Sequence, residues 1–237
     1  SGYYIDMWSF ISQRNNVWDY GSRCDLLENS YIRYLEENGI NVVPIPNVTN
    51  NVNHYVDDHP KVKAVILSGG NDISPSEYGK KPVGGMSVSQ ERDRVERKLL
   101  ECAIHKRIPV LGICRGMQFI NIFFGGGLEL NLKSIKEARE SHINCKHFID
   151  IIEKKAEPFF QEKRVEVNSY HDQAVTPENL STRLKPFAVS TDSKVVEGLF
   201  HPQYPIAGVQ FHPERDEAKE FNALILKAFI ERKGFWG

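Results

Sequence analysis

The stretch VLGICRGMQFIN, residues 110–121, decides how this chain is interpreted. It begins with an apolar run, typical of a strand buried on both faces, and continues as an apolar helical segment. Cys114 stands at the junction, with Gly112 and Gly116 two residues to either side. A sharp strand-to-helix elbow requires this G-x-nucleophile-x-G spacing, although an apolar core position is the default for a cysteine. The choice between nucleophile and core residue depends on the rest of the chain.

The overall composition is that of an ordinary globular protein. Of its 237 residues, 41% are hydrophobic and 26% are charged, and the net charge is -1. Such a balance lacks the basic surface of a protein that binds nucleic acid or an anionic membrane. No apolar run approaches the ~18 residues of a membrane-spanning helix, and the first residues lack the basic-then-apolar pattern of a signal peptide. The sequence therefore predicts a cytoplasmic protein without nucleic-acid or membrane partners.

The cysteines and histidines form no recognisable disulfide or metal pattern. Four cysteines are scattered without a C-x-x-C pair, which fits a reducing compartment where one thiol is reactive and the others are inert. Among the eight histidines, His142 and His147 have nearly zinc-finger spacing, but no cysteine pair precedes them. From the sequence we expect no metal site and no cofactor.

Strand and helix patterns alternate along the chain and predict one α/β domain over residues 1–237. The first half is interpreted as βαβ units around a parallel sheet, and the strand-rich second half as a source of antiparallel strands. The aromatic N-terminal region, with Tyr3, Tyr4, Trp8 and Trp18, is interpreted as packing or as a homodimer interface. Helices are predicted over 25–38, 92–106, 117–124 and 216–232, and strands over 8–12, 41–45, 63–67, 109–113, 148–152, 164–167, 188–190, 195–200 and 206–211.

Two further strand ends carry residues suited to catalysis, and such groups gather at the carboxyl ends of strands in α/β sheets. In GVQFHPE, residues 208–214, His212 and Glu214 lie two residues apart, so on an extended segment both side chains point the same way. The carboxylate then holds one ring nitrogen while the other faces the thiol, as in an activated cysteine. The Gly-Gly turn in LSGGND, residues 67–72, and the N–H of Arg115 are candidate donors to an oxyanion.

Four longer stretches carry a family resemblance. They resemble the motifs of class I glutamine-amidotransferase-like hydrolases, most closely the γ-glutamyl-γ-aminobutyrate hydrolase type. The resemblance spans most of the chain. It implies a flavodoxin-like class I glutamine amidotransferase fold, whose central, mostly parallel sheet is flanked by helices and extended by antiparallel strands. The four stretches are SGGNDISPSEYG (68–79), ERDRVERKLLECAIHKRIPVLGICRGMQFIN (91–121), VNSYHDQAV (167–175) and EGLFHPQYPIAGVQFHPE (197–214).

The same resemblance implies site residues and a reaction. Cys114, His212 and Glu214 would form a Cys–His–Glu triad, and the backbone of Gly70 and Arg115 would form the oxyanion hole. The implied reaction is hydrolysis of the γ-glutamyl amide bond of a small γ-glutamyl substrate through a γ-glutamyl thioester, with release of L-glutamate. Contacts with the bound glutamyl group are implied for Gln118, Asn168, Ser169, Tyr170 and His171.

One segment departs from the family pattern. After the elbow helix the family commonly has Gly-Gly-Thr-Leu-Tyr-Gln-Asp, whereas this chain has GGLELNL at 126–132 and a short loop up to His142. Such segments shape the pocket for the leaving amine. The expected substrate is therefore a γ-glutamyl amine or a γ-glutamyl nucleotide amidate such as γ-glutamyl-CDP-amidate, the latter as in capsular phosphoramidate assembly.

Two other functions are compatible with the resemblance. A glutaminase subunit would supply ammonia to a separate synthetase, and no synthetase domain is fused to this chain. A catalytically silent binding relative would need none of the residues Cys114, His212 and Glu214, so their presence argues against it. Arg14, Arg92 and Arg115 are interpreted as surface or structural arginines, and Arg92 with Asp93 as a charge cluster at a helix start.

Overall fold

The computed structural model of the protein describes residues 7–81, 83–131, 142–215, 219–233 and 235–236. Tyr3, Tyr4, Asp216 and the loop at 132–141, all of which entered the predictions above, lie outside these residues. The strands are β1 (Met7–Ser12), β2 (Arg14–Val17), β3 (Arg23–Leu26), β4 (Ile40–Ile45), β5 (Val62–Leu67), β6 (Val110–Ile113), β7 (Ile143–Ile151), β8 (Arg164–Tyr170), β9 (Lys185–Ser190), β10 (Val196–Phe200) and β11 (Ile206–Val209). The helices are α1 (Asn29–Glu37), α2 (Val52–Asp58), α3 (Gln90–Lys106), α4 (Arg115–Phe123), α5 (Glu157–Phe160) and α6 (Lys219–Glu231).

The main sheet of the described chain has nine strands in the order β4-β1-β5-β6-β11-β10-β9-β7-β8. The first five are parallel to one another. From β11 onward each neighbouring pair is antiparallel. Strand β6 lies inside the parallel part, between β5 and β11, and all four of its residues are buried, as its apolar sequence predicts. The predicted fold class is confirmed.

Side chains of the central strands alternate between two apolar layers, one on each face of the sheet. Ile11 packs in the layer that contains α1 and α6, whereas its neighbour Phe10 packs in the layer that contains α3 and α4. Helices therefore cover both faces, and the carboxyl ends of the parallel strands are left free for functional groups. None of the helices within the described residues has both the length and the apolar character needed to cross a membrane.

The first helix begins four residues later than predicted. Residues 23–26 belong to β3, which pairs with β2 in a separate hairpin, and α1 begins only at Asn29. The cause is Asp25, whose carboxylate accepts hydrogen bonds from the backbone and side-chain N–H groups of Asn47 at 2.8 Å each. These tertiary bonds override the helical spacing of the sequence. The hairpin tip carries Trp18 stacked on Tyr20, with ring centroids 6.4 Å apart.

The two glycines of the elbow allow α4 to lie close to the sheet. A Cβ atom added at Gly116 would lie only 2.1 Å from the carbonyl oxygen of Leu67, and one at Gly112 would lie 2.5 Å from the carbonyl carbon of Gly116. Both positions therefore require glycine so that α4 can pack directly against β5 and β6.

Candidate active site

The elbow between β6 and α4 holds Cys114 in a strained backbone conformation. Its φ is 53° and its ψ is -106°, a combination that non-glycine residues rarely adopt and that clusters at functional sites. The backbone N–H of Cys114 donates to the carbonyl of Val209 at 2.7 Å, which fixes the elbow to the end of β11. The thiol is mostly buried, and the amide of Gln210 approaches its sulfur at 3.5 Å.

His212 and Glu214 follow β11 and contact one another directly. His212 Nδ1 lies 2.6 Å from Glu214 Oε1, and both side chains are buried. The two residues are not on the extended segment that we predicted, because Pro213–Arg215 forms a short 3-10 turn. The turn brings the carboxylate back onto the ring within two residues, so the predicted contact forms by a different backbone route.

The protonation of His212 is set by its charged neighbours. Burial alone would lower the pKa of the imidazole, but the Cys114 thiolate and the Glu214 carboxylate, each also in hydrogen-bond contact with the ring, raise the pKa to about 10. The imidazole lies between the sulfur of Cys114 and the carboxylate of Glu214.

The backbone of His212 is held by the side chain of Asn168 from β8. The Asn168 amide donates to the carbonyl of His212 at 2.9 Å and accepts from its N–H at 2.9 Å. Both polar groups of this side chain are thus used on His212, whereas the family resemblance implies a substrate contact. These two bonds hold the backbone of His212, and the implied substrate contact of Asn168 stays a prediction. Strand β8 lies at the far end of the sheet order from β11, so the β7–β8 hairpin must fold back to make this contact.

The other three β8-region residues of the predicted substrate site divide between two faces, as expected for an extended segment. Tyr170 is partly exposed, and its ring lies edge-on to His212 at 5.6 Å and beneath the Arg215 guanidinium. Ser169 is fully buried and donates to the carbonyl of His142 at 2.6 Å. His171 is buried beside the carboxylate of Glu197. Ser169 and His171 thus point away from His212, and the implied glutamyl contacts of their side chains are not supported.

Gln118 lies on the first turns of α4, beside the thiol. Its amide donates to the carbonyl of Gln173 at 3.0 Å and to the side-chain oxygen of Gln210 at 3.2 Å. Gln210 in turn approaches the sulfur of Cys114. Sequence reasoning missed Gln210, although it stands inside the GVQFHPE motif. Its polar side chain within the otherwise apolar predicted strand IAGVQF was the signal.

The loop after β5 packs against both Cys114 and His212. A Cβ atom at Gly69 would lie 2.9 Å from His212 Cε1 and 3.7 Å from Cys114 Cβ. Gly70 has a φ of +122°, which favours glycine, and the N–H of Gly69 donates to the Tyr31 hydroxyl at 2.8 Å. The predicted oxyanion donor Gly70 therefore belongs to the loop that lies beside the nucleophile. Sequence reasoning missed Tyr31, which is one of several apolar-face residues of α1.

Two buried arginines hold this loop and the elbow in place. Arg92 donates to the carbonyls of Ser68 at 2.6 Å and Gly69 at 3.0 Å, and to Glu96 at 2.8 Å. Arg115, whose backbone begins α4, forms ion pairs with Glu96 and Asp93. The four side chains form one charge network at the start of α3, as predicted for Arg92 and Asp93, and the structure adds that the network is buried. The structural role suggested for Arg92 and Arg115 is confirmed.

A second buried polar cluster lies on the other side of β8. His142, His147 and His171 surround the carboxylate of Glu197, which belongs to β10. One ligand atom from each of His142, His171 and Glu197 lies within 4.8 Å of the other two. The sequence analysis expected no metal site, and it missed this grouping because its members come from separate places in the chain. The charged Glu197 within the apolar run VVEGLF was the available signal.

The family model for Peptidase C26 matches residues 8–214, which is most of the chain. The chain belongs to the Peptidase C26 family. It is 34% identical to the gamma-glutamyl-CDP-amidate hydrolase of Campylobacter jejuni over 170 residues, which are 71% of this chain and 70% of that protein. It is 30% identical to a glutamine-hydrolyzing GMP synthase subunit of Methanococcus aeolicus over 185 residues, which are 77% of this chain and 80% of that protein.

Solved structures show the same fold. The glutaminase domain of Trypanosoma brucei CTPS has a TM-score of 0.67, with 15% identity over 96% of this chain and 94% of that domain. At that identity the likeness shows the architecture alone. Together, the family match and the relatives identify a glutamine amidotransferase-like C26 hydrolase.

Proposed function

We propose that this C26 protein hydrolyses the γ-glutamyl amide bond of a small γ-glutamyl adduct, with Cys114, His212 and Glu214 as its catalytic triad. The observation that carries the proposal is the His212–Glu214 contact of 2.6 Å, beside a cysteine held at positive φ where a strand enters a helix. The substrate class is a γ-glutamyl amine or a γ-glutamyl nucleotide amidate. The similarity to the gamma-glutamyl-CDP-amidate hydrolase supports the second of these.

In the first half of the reaction, the Cys114 thiolate attacks the γ-carbonyl carbon. The developing oxyanion accepts hydrogen bonds from the backbone N–H groups of Gly70 and Arg115, because the first N–H groups of a helix have no partner within that helix. Protonated His212 then donates its proton to the nitrogen as the C–N bond breaks. The products of this half are a γ-glutamyl thioester and the free amine or amidate.

In the second half, His212 must act as a base, and the charge arrangement explains how it changes role. Once the sulfur is acylated, its negative charge is gone, and the strongest influence that raises the pKa of His212 disappears with it. The neutral imidazole then accepts a proton from water, which attacks the thioester. Glutamate leaves, and the thiolate–imidazolium pair is restored.

The test is glutamate release by the wild-type protein, Cys114→Ala and the matched control Cys102→Ala. The substrates are glutamine, γ-glutamyl-γ-aminobutyrate and γ-glutamyl-CDP-amidate. Cys102 is a thiol on α3 whose hydrogen bond within the described residues goes to Asn53, at 3.1 Å, so its removal should leave turnover unchanged. We expect turnover of one adduct but not of glutamine, and its loss in Cys114→Ala alone.

A second candidate function is that of a glutaminase subunit, favoured by the similarity to the GMP synthase of Methanococcus aeolicus. It predicts the opposite pattern in the same experiment: glutamine is hydrolysed, and the adducts are not. Absence of turnover by the wild-type protein with every substrate would refute the proposal of a free-standing hydrolase.

A further inference from the structure

In the cluster around Glu197, the ring hydrogens lie on the histidine nitrogens that point away from the carboxylate. The lone pairs of the other ring nitrogens therefore face the carboxylate oxygens. His171 Nδ1 lies 2.9 Å from the carbonyl oxygen of Gln173, and a carbonyl can only accept, so this nitrogen carries the hydrogen. In the neutral ring Nε2 then carries a free lone pair. That nitrogen lies 3.8 Å from Glu197 Oε1.

His142 has the same arrangement with the roles of its two ring nitrogens exchanged. Its Nε2 lies 3.6 Å from the carboxylate of Asp192 and 3.5 Å from the Ser193 hydroxyl, which favours the hydrogen on that nitrogen. Its Nδ1 then presents a lone pair to Glu197 Oε1 at 3.8 Å. In each histidine, the ring nitrogen that points away from Glu197 thus faces a carbonyl or carboxylate oxygen, as in almost all metal-ligating histidines.

The distances within the cluster fit a cation better than a set of hydrogen bonds. All three side chains are at least nine-tenths buried. His142 Nδ1, His171 Nε2 and both carboxylate oxygens of Glu197 lack a hydrogen-bond partner among the described residues. Separations of 3.8 Å are too long for a good hydrogen bond. Around a tetrahedral zinc ion with bonds of about 2.0–2.1 Å, neighbouring ligand atoms lie about 3.3 Å apart, so a small inward movement would complete the site.

We propose that His142, His171 and Glu197 bind a zinc ion. Two imidazoles and one carboxylate are a donor set that suits zinc and other late divalent transition metals rather than magnesium or calcium. His147, whose Nε2 lies 3.5 Å from Glu197 Oε1, lies at the edge of the same cluster. The first two ligands flank the β7–β8 hairpin, and the third belongs to β10, so the ion ties the hairpin to the sheet.

The proposed site lies next to the active site but shares no side chain with it. The carbonyl of Glu197 accepts from the N–H of Gln210, whose amide approaches Cys114. The carbonyl of Gln173 accepts from both His171 and Gln118. Zinc at this position would therefore be structural, and would hold in place the backbone segments that carry Gln210 and Gln173.

The experiment measures zinc in tag-free full-length protein by elemental analysis, after dialysis against excess Zn²⁺ and removal of the unbound metal. We expect roughly one zinc per chain in the wild type and less than about a tenth of that in His142→Ala and His171→Ala. His54→Ala, which removes an exposed histidine of α2, should retain the full amount. A wild-type chain without zinc, or a His142→Ala chain with as much zinc as the wild type, would overturn the proposal.

Two further measurements guard against a variant that merely fails to fold. Asp192→Asn changes a partly exposed side chain behind His142, and its zinc affinity should fall by about 10- to 100-fold. Cobalt added to the wild type should give visible absorption bands of tetrahedral strength, and zinc should abolish them. A cobalt spectrum identical to that of the aqueous ion would show that the cluster holds only water or a proton, and would overturn the proposal. Neither readout depends on hydrolase activity.

Discussion

Two histidine–carboxylate centres lie on opposite sides of β8, and they are built in opposite ways. In one, His212 contacts Glu214 at 2.6 Å and its pKa is raised to about 10. In the other, His171 lies 3.8 Å from Glu197 and its pKa is lowered to about 4. Both rings are buried, so burial does not explain the difference. The direct contact with Glu214 and the closeness of the Cys114 sulfur do, because together they outweigh the loss of hydration at the first centre.

A buried carboxylate beside a histidine can be neutralised in two ways. Where a proton is held between ring and carboxylate, the pair is complete and can serve proton transfer. In other pairs the ring and the carboxylate lie too far apart to share a proton, and the ring nitrogen that points away from the carboxylate already donates a hydrogen bond. The lone pair that faces the carboxylate then needs a cation other than a proton. A third buried carboxylate, Glu96, is neutralised in another way, because it pairs with two arginines, which stay positively charged.

The largest expected effect separates Glu96 from Glu197. Glu96→Gln leaves Arg92 and Arg115 buried without a full counter-charge, and breaking such a pair destabilises a fold by about 3–5 kcal/mol. Glu197→Gln in metal-free protein should destabilise less, because neutral histidines need no counter-charge, whereas buried arginines stay charged and need one. Urea unfolding of both variants in the presence of a chelator measures the two free energies. Equal losses of unfolding free energy would show that the histidines around Glu197 carry a lasting positive charge, as the arginines around Glu96 do, and would contradict the difference between the two carboxylates.

The next effect concerns the proton on His212. Cys114→Ala removes the strongest influence that raises its pKa, and Glu214→Gln removes the second, whereas burial, which lowers the pKa, stays in both variants. The pKa should therefore fall in each variant, further in Cys114→Ala, from about 10 toward or below the ordinary value of about 6.5. NMR titration of the ring proton, assigned from its loss in His212→Gln, gives the values. An unchanged pKa in Cys114→Ala would mean that no thiolate faces the ring.

A smaller effect is expected at Asn168, which faces the first centre. Asn168→Ala removes both hydrogen bonds to the His212 backbone, and misplacement of a catalytic group by about 1 Å can lower a rate by about a hundredfold. The rate of Cys114 alkylation by iodoacetamide, measured without any γ-glutamyl compound, should fall. A residue that only binds the glutamyl group would raise KM and leave this rate unchanged.

The smallest effect on reactivity is expected one residue further along β8. Ser169→Ala removes a hydroxyl that donates to the carbonyl of His142, on the side of the second centre. Stability should fall by only about 0.5–1.5 kcal/mol, because the carbonyl of His142 loses one hydrogen bond but still accepts from the N–H of His171, while Cys114 alkylation and KM should match the wild type. This adjacent substitution is the matched control for Asn168→Ala. A raised KM would restore Ser169 to the substrate site that the family resemblance implies.

What the sequence could predict was local. The elbow around Cys114 and the pairing of His212 with Glu214 depend on residues within a few positions of one another, so spacing and apolar runs were sufficient. The predicted start of α1 was wrong because its determinant, Asn47, lies 22 residues beyond Asp25. The burial of Arg92 was invisible because an i,i+4 pair with Glu96 is also typical of an exposed helix face. The histidine cluster required the fold itself, since Glu197 meets His142 and His171 only after the β7–β8 hairpin has formed.

The backbone strain at Cys114 has a consequence for how this chain can change over time. A non-glycine residue at such φ and ψ values stores about 1–3 kcal/mol, and a glycine there would release it. A directed-evolution campaign that selects for heat resistance alone should therefore recover Cys114→Gly among its first substitutions, and the product would be sturdier and inert. A cysteine at this elbow therefore costs stability that a glycine would not, which is the expected cost of keeping a thiol at the strand-to-helix junction.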